Sequence, residues 1–146
     1  MIAQEDPIGW TAALILMVTV SLVMVAVGWL VIVIAERAAD GRLGSNGLAG
    51  IRTRATRSSD EAWRAAHQVA ERPTALAGWT TMASGVAGLC LALVFADGDA
   101  ERATSIWSVA ITVGGTLLLI LSGFGAWKGH AAAKRVQQQR SGASEG

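Results

Sequence analysis

The side chains that could do chemistry gather between positions 36 and 75. Arg52, Arg54 and Arg57 follow one another closely in Gly50-Ile-Arg-Thr-Arg-Ala-Thr-Arg57. Juxtamembrane cations of this kind are attracted to anionic headgroups by roughly 1 kcal/mol each, and they can equally pair with acidic groups on a protein partner. Lipid contact is the simpler reading for at least part of the cluster. Trp63 and His67 are four residues apart, which places them one above the other on a helix. They read either as a recognition pair, with His67 sensing pH, or as a membrane-surface anchor with a hydrogen-bonded neighbour. The second reading demands less and is preferred. No second His or Cys lies near His67, and His130 sits in the distant tail, so no metal site is expected. Glu36 and Asp40 are placed to neutralise Arg37 and Arg42 rather than to catalyse. With no carboxylate pair, no Ser/His/Asp order and no metal-ligand cluster, the chain does not read as an enzyme, and no cofactor is implied.

The elements that must hold these residues follow from local signals. Glycines at 41, 44, 47 and 50 permit tight turns and close backbone approach. No Gly-Lys-Ser/Thr follows them, so they suit an irregular connector better than a phosphate cradle. Ser58 and Glu61 have the spacing of a capping box. A helix is predicted from about Ser59 to Arg72, because Pro73 disfavours helical geometry at the residue before it. On that helix Asp60, Glu61, Arg64, Gln68, Glu71 and Arg72 fall within about 120° of one another. The opposite face carries Ala62, Trp63, Ala65, Ala66, Val69 and Ala70, as expected of an amphipathic helix lying on a membrane surface or against a bundle.

The whole chain sets the context. Its 146 residues are 52% hydrophobic and 16% charged, with mean hydropathy +0.43, whereas soluble domains carry about 25% charged residues. Three uncharged runs, about 8–35, 76–96 and 105–127, each match the roughly 20 apolar residues needed to cross a bilayer. Buried helices of a soluble protein are excluded, since too little chain remains to cover three of them. The first run reads as a span and not a cleaved signal, because Glu5 and Asp6 precede it instead of Lys or Arg. A net charge of +1 argues against nucleic-acid binding, and a single cysteine, Cys90, excludes an intrachain disulfide. The absence of ionisable groups inside the runs speaks against ion or proton transport by this chain alone.

Orientation follows from arginine. Arg37, Arg42, Arg52, Arg54, Arg57, Arg64 and Arg72 lie between the first two runs, and Lys128, Lys134, Arg135 and Arg140 follow the third. Basic segments stay in the cytoplasm, so the N-terminus is expected outside and the C-terminus inside a bacterial plasma membrane. Trp10 and Trp107 at one level, and Trp29, Trp79 and Trp127 at the other, read as an aromatic belt. Ala83, Ala87, Ser84 and Gly88 in the second run, with Ala110, Gly114, Gly125 and Gly129 in the third, offer small faces for helix packing. The tail is expected to continue as a short basic helix through Gln139. The fold class is therefore all-α, with three transmembrane helices and one cytoplasmic amphipathic surface helix in a single membrane domain.

Asn46, Gly50-Ile51-Arg52, Thr56, Ser59, Trp63 and His67 form an ordered set. It resembles the signature loop of the SdpI family of small bacterial integral membrane proteins, over about twenty residues plus the flanking spans. The resemblance implies a membrane protein that in some members is an immunity factor against a secreted killing peptide, sometimes linked to signalling. It brings no catalytic residue. The expected function is a non-enzymatic module whose loop contacts anionic headgroups or another integral membrane protein through Asn46, Arg52, Arg54, Arg57, Trp63 and His67. The alternative is an accessory structural subunit of a larger respiratory, transport or cell-envelope complex.

Overall fold

A computed structural model describes residues 7–44, 49–95 and 100–143. They form three helices: α1 Pro7–Ala39, α2 Asp60–Val94 and α3 Ala100–Ala143. All three are long and apolar enough to cross a membrane. The helices run up, down and up, so the 40–59 connector and the end of α3 share one end of the bundle. The start of α1, the end of α2 and the start of α3 share the other. Helix α2 is central. It packs along its length against α1 on one side and α3 on the other, while α1 and α3 touch each other sparsely.

Small residues set the spacing. A Cβ on Gly28 would lie 2.6 Å from the Gly78 carbonyl oxygen, and one on Gly85 would lie 2.6 Å from the Ser21 carbonyl oxygen, so α1 and α2 meet backbone to backbone. Toward the connector end, a Cβ on Gly129 would lie 2.8 Å from the Ala66 carbonyl oxygen, which brings α3 equally close to α2. Hydrocarbon offers no hydrophobic drive between helices, so dispersion across such close crossings is what holds them. Gly85, Gly88, Gly114, Gly125 and Gly129 all serve this purpose. Ala83 and Ala87 face outward instead, and Gly28 and Gly78 complete the α1–α2 crossing. Thr81, fully buried, donates its hydroxyl back to the Ala77 carbonyl at 2.8 Å and so brings no unpaired polar group into the bundle.

Leu, Ile, Val and Trp side chains are exposed along all three helices. On a soluble protein so continuous an apolar exterior would be an anomaly; against lipid tails it is the required surface. Trp29, Trp79 and Trp127 belong to this exterior, and Cys90 is exposed on it too. Trp107 does not act as a simple lipid anchor. Its indole N–H donates to Ser21 Oγ at 3.0 Å, and its ring, with Trp10, packs on a cluster of Met17, Ala92 and Ala103 that closes the end opposite the connector.

The separate surface helix over 59–72 is not found. Those residues are the first turns of α2, which continues through Pro73 to Val94. Proline removes one N–H from the ladder and crowds the carbonyl four residues earlier, a penalty of about 3 kcal/mol. Tertiary packing on both sides outweighs it, with the Pro73 ring and the Ala70 carbonyl seated against Gly125 of α3. The cap is Ser59, whose side chain accepts from Ala62 N at 3.1 Å. Ser58 donates to the Ala55 carbonyl, and the Glu61 carboxylate takes Arg140 at 3.0 Å instead of a capping-box amide. The tail helix likewise merges with the third span and runs past Gln139 to Ala143. At about 1.5 Å per residue, α2 and α3 span roughly 50 and 65 Å, well beyond a hydrocarbon core of about 30 Å. Their surplus length forms a scaffold beside the connector.

Candidate functional site

The connector is folded onto that scaffold by a chain of hydrogen bonds. Two residues past the end of α1 at Ala39, Gly41, with φ of +76°, turns the chain back and lets Leu43 N bond the Arg37 carbonyl at 3.0 Å. The Leu43 carbonyl then accepts the Trp63 indole N–H at 2.7 Å. Trp63 is only 1% exposed. Its ring stacks at a tilt on His67, with centroids 4.1 Å apart.

Gly50 passes directly over both rings. Its φ is +107°, and a Cβ there would lie 2.6 Å from His67 Nε2 and 3.0 Å from the edge of the Trp63 indole. Only glycine satisfies both the backbone geometry and the space. The approach delivers the next amide: Ile51 N–H donates to His67 Nε2 at 2.9 Å. His67 Nδ1 lies 2.8 Å from the Trp63 carbonyl. An amide can only donate and a carbonyl only accept, so His67 is the neutral Nδ1–H tautomer with both nitrogens engaged. Burial pushes its pKa below the usual 6.5, opposed in part by the bond to the Trp63 carbonyl.

Two threonines finish the turn. The buried Thr56 hydroxyl donates to the Ile51 carbonyl at 2.7 Å and accepts from Thr53 N at 2.9 Å, while Thr56 N donates to Thr53 Oγ1 at 3.2 Å. Thr53 Oγ1 also lies 3.0 Å from His130 Nδ1, which ties the connector to α3. Beneath it, Ala55, Ala62, Ala66 and Ala133 make a close-packed apolar patch flanked by Val136. Residues of the ordered motif thus form one interlocked unit: Gly50, Ile51, Thr56, Ser59, Trp63 and His67 all hold the connector in shape.

What this unit displays is arginine. Arg52, Arg54 and Arg57 are exposed and line an open groove of about 530 Å³ with Thr53, Ser58 and Gln137. Among the described residues none of the three has an acidic partner; the ion pairs found here are Arg42–Asp40 and Arg140–Glu61. Of the six residues expected to make contacts, the three arginines are therefore together on the surface. Trp63 and His67 are inside, at 1% and 4% exposure, because the alanine face that carries them packs on α3 and the connector rather than on lipid. Asn46 lies outside the described residues. Among the described residues no group of three or more His, Cys, Asp or Glu side chains could hold a metal.

Sequence reasoning missed Leu43, Thr53 and His130 as parts of the unit. The positive-φ demand on Gly50 was the one available signal for the close approach; nothing local marks the Thr53–His130 contact across the bundle.

The model of the SdpI/YfhL protein family matches residues 42–126. The chain belongs to that family. The matched stretch runs from the connector through α2 and most of α3, and it includes Gly50, Ile51, Thr56, Trp63 and His67 of the interlocked unit but not His130. In this chain the residues of the ordered motif mainly shape a loop, and Arg52 is exposed on it. No curated protein and no solved structure matches the chain.

Proposed function

We propose that this SdpI-family protein is a non-enzymatic module of the bacterial plasma membrane whose connector binds anionic lipid headgroups on the cytoplasmic leaflet. The carrying observation is the trio Arg52, Arg54 and Arg57, exposed and without acidic partners among the described residues, on a connector made rigid by the Trp63–His67–Ile51 bonds. A rigid display loses less entropy on binding than three freely moving side chains. The concentration of arginine at this end of the bundle supports a cytoplasmic location, with the N-terminus outside. Trp63 and His67 act as positioning residues, and the arginines make the contacts.

The test is competitive lipid retention by purified protein in mild detergent, read by native mass spectrometry with phosphatidylglycerol against phosphatidylcholine. Replacing all three arginines by glutamine should abolish the preference for the anionic lipid. At roughly 1 kcal/mol per cation the loss is on the order of a hundredfold, and high salt should mimic it in the unaltered protein. Equal phosphatidylglycerol retention by the triple variant and the original protein refutes the assignment.

A further inference from the structure

Gly50 and Ile51 of the connector also border a second hollow, of about 270 Å³. It exists because α1 and α3 both lean on α2 and meet each other so little. Ile34 of α1, Ile51 of the connector and Ala126 of α3 give it apolar walls, and Glu71, Thr74 and Ser122 are among the residues that line it. His67 also borders it, but both ring nitrogens are already committed. Glu71 is half-buried, and among the described residues it has neither an ion-pair nor a hydrogen-bond partner. Thr74 and Ser122 are half-buried, and among the described residues neither side chain has a hydrogen-bond partner.

A carboxylate bordering a largely apolar recess attracts a cation. A primary ammonium carries three N–H donors, matched in number by one carboxylate and two hydroxyls arriving from two helices. The hollow is smaller than the roughly 300–1,000 Å³ of a site for a whole small molecule, so it suits a headgroup. Its height is that of a headgroup as well. The exposed apolar face of α2 resumes at Leu76, and Glu71 lies about 7 Å beyond it at 1.5 Å per residue. On α3 the lining residues Ser122 and Ala126 alternate with exposed Ile120, Phe124 and Trp127.

We infer that this hollow binds the primary ammonium of an aminophospholipid in the adjacent leaflet, with Glu71 as its counter-ion and Thr74 and Ser122 as acceptors. The site is chemically opposite to the arginine groove and independent of it.

The experiment is native mass spectrometry of the full chain in detergent, with phosphatidylethanolamine competing against phosphatidylcholine of the same acyl chains. The unaltered protein should favour the ethanolamine lipid about tenfold, and stepwise N-methylation of that lipid should erode the preference as donors are removed. Glu71→Gln should bring the ratio to about one, Ser122→Ala should lower it part-way, and the triple arginine variant should leave it unchanged. Melting in lipid-free detergent shows whether each variant is folded. Should Glu71→Gln not fold, the methylation series and Ser122→Ala decide the matter. Equal retention of the two lipids by the unaltered protein overturns the inference, as does an unchanged preference in folded Glu71→Gln. Displacement of the lipid by millimolar phosphoethanolamine would also overturn it, by assigning the hollow to a soluble amine.

Discussion

At His67 the hydrogen-bond inventory leaves a single protonation state. Nε2 receives the Ile51 amide and Nδ1 gives its proton to the Trp63 carbonyl, so a second proton has no acceptor and would point at another N–H. His67 sits about 13 Å along α2 from Leu76 at 1.5 Å per residue, outside the apolar span. Its folded pKa lies below 6.5, so below pH 6.5 the unfolded chain binds more protons than the folded one. Stability is then full above the unfolded value and falls as pH drops toward the folded one. The melting temperature should decline as pH is lowered from about 6.5, the unperturbed histidine value, and His67→Asn should flatten that decline. Gly50 is the other sensitive point. Gly50→Ala places a Cβ against His67 Nε2 at a φ of +107°. Strain at such a position is about 1–3 kcal/mol before the collision is counted. A fall in melting temperature should therefore accompany faster proteolysis of the connector. Neither effect was legible in the sequence beyond the adjacency of Trp63 and His67 and the glycine spacing, because both depend on a backbone approach across sixteen residues of separation.

At the scale of elements, α2 shows local and tertiary preferences in conflict. Pro73 is a stop signal by every local rule, and Ser58 with Glu61 is a plausible start. The stop is overridden and the start is displaced by one residue. The cost remains in the helix as a missing donor for the Val69 carbonyl. Pro73→Ala should restore that donor and raise thermal stability, with the gain kept below about 3 kcal/mol by lost packing of the ring on Gly125. A fall in melting temperature would mean that the ring contact outweighs the hydrogen bond. Helix propensities and cap spacing predicted that a helix begins near position 59 and that another crosses the membrane from about 76. Their fusion was hidden because the balancing contacts come from α3, some fifty residues away.

At the scale of the whole molecule, the up-down-up order brings the connector and the long end of α3 together. The basic residues of the connector and those toward the end of α3 thereby collect at one end, and Arg102 lies at the other. Orientation is testable through a single reporter thiol. In a Cys90→Ser background, Ser58→Cys places a thiol beside the arginine groove. It should resist membrane-impermeant maleimide in intact cells and react after lysis. Labelling of intact cells would invert the topology and remove the cytoplasmic leaflet as the lipid source for the groove.

The spans themselves are settled by sequence, since hydrocarbon thickness demands about 20 apolar residues regardless of neighbours, and hydropathy is a property of the residues alone. The family pattern is likewise readable along the chain. Only the tertiary structure decided that the pattern folds inward. It buries Trp63 and His67 under Gly50, leaves Arg52, Arg54 and Arg57 on the surface, and sets Glu71 in a hollow between α1 and α3. Those outcomes depend on how three helices cross. Crossings are fixed by close contacts between residues remote in sequence, such as Gly28 with Gly78 and Ala66 with Gly129, for which no local spacing rule exists.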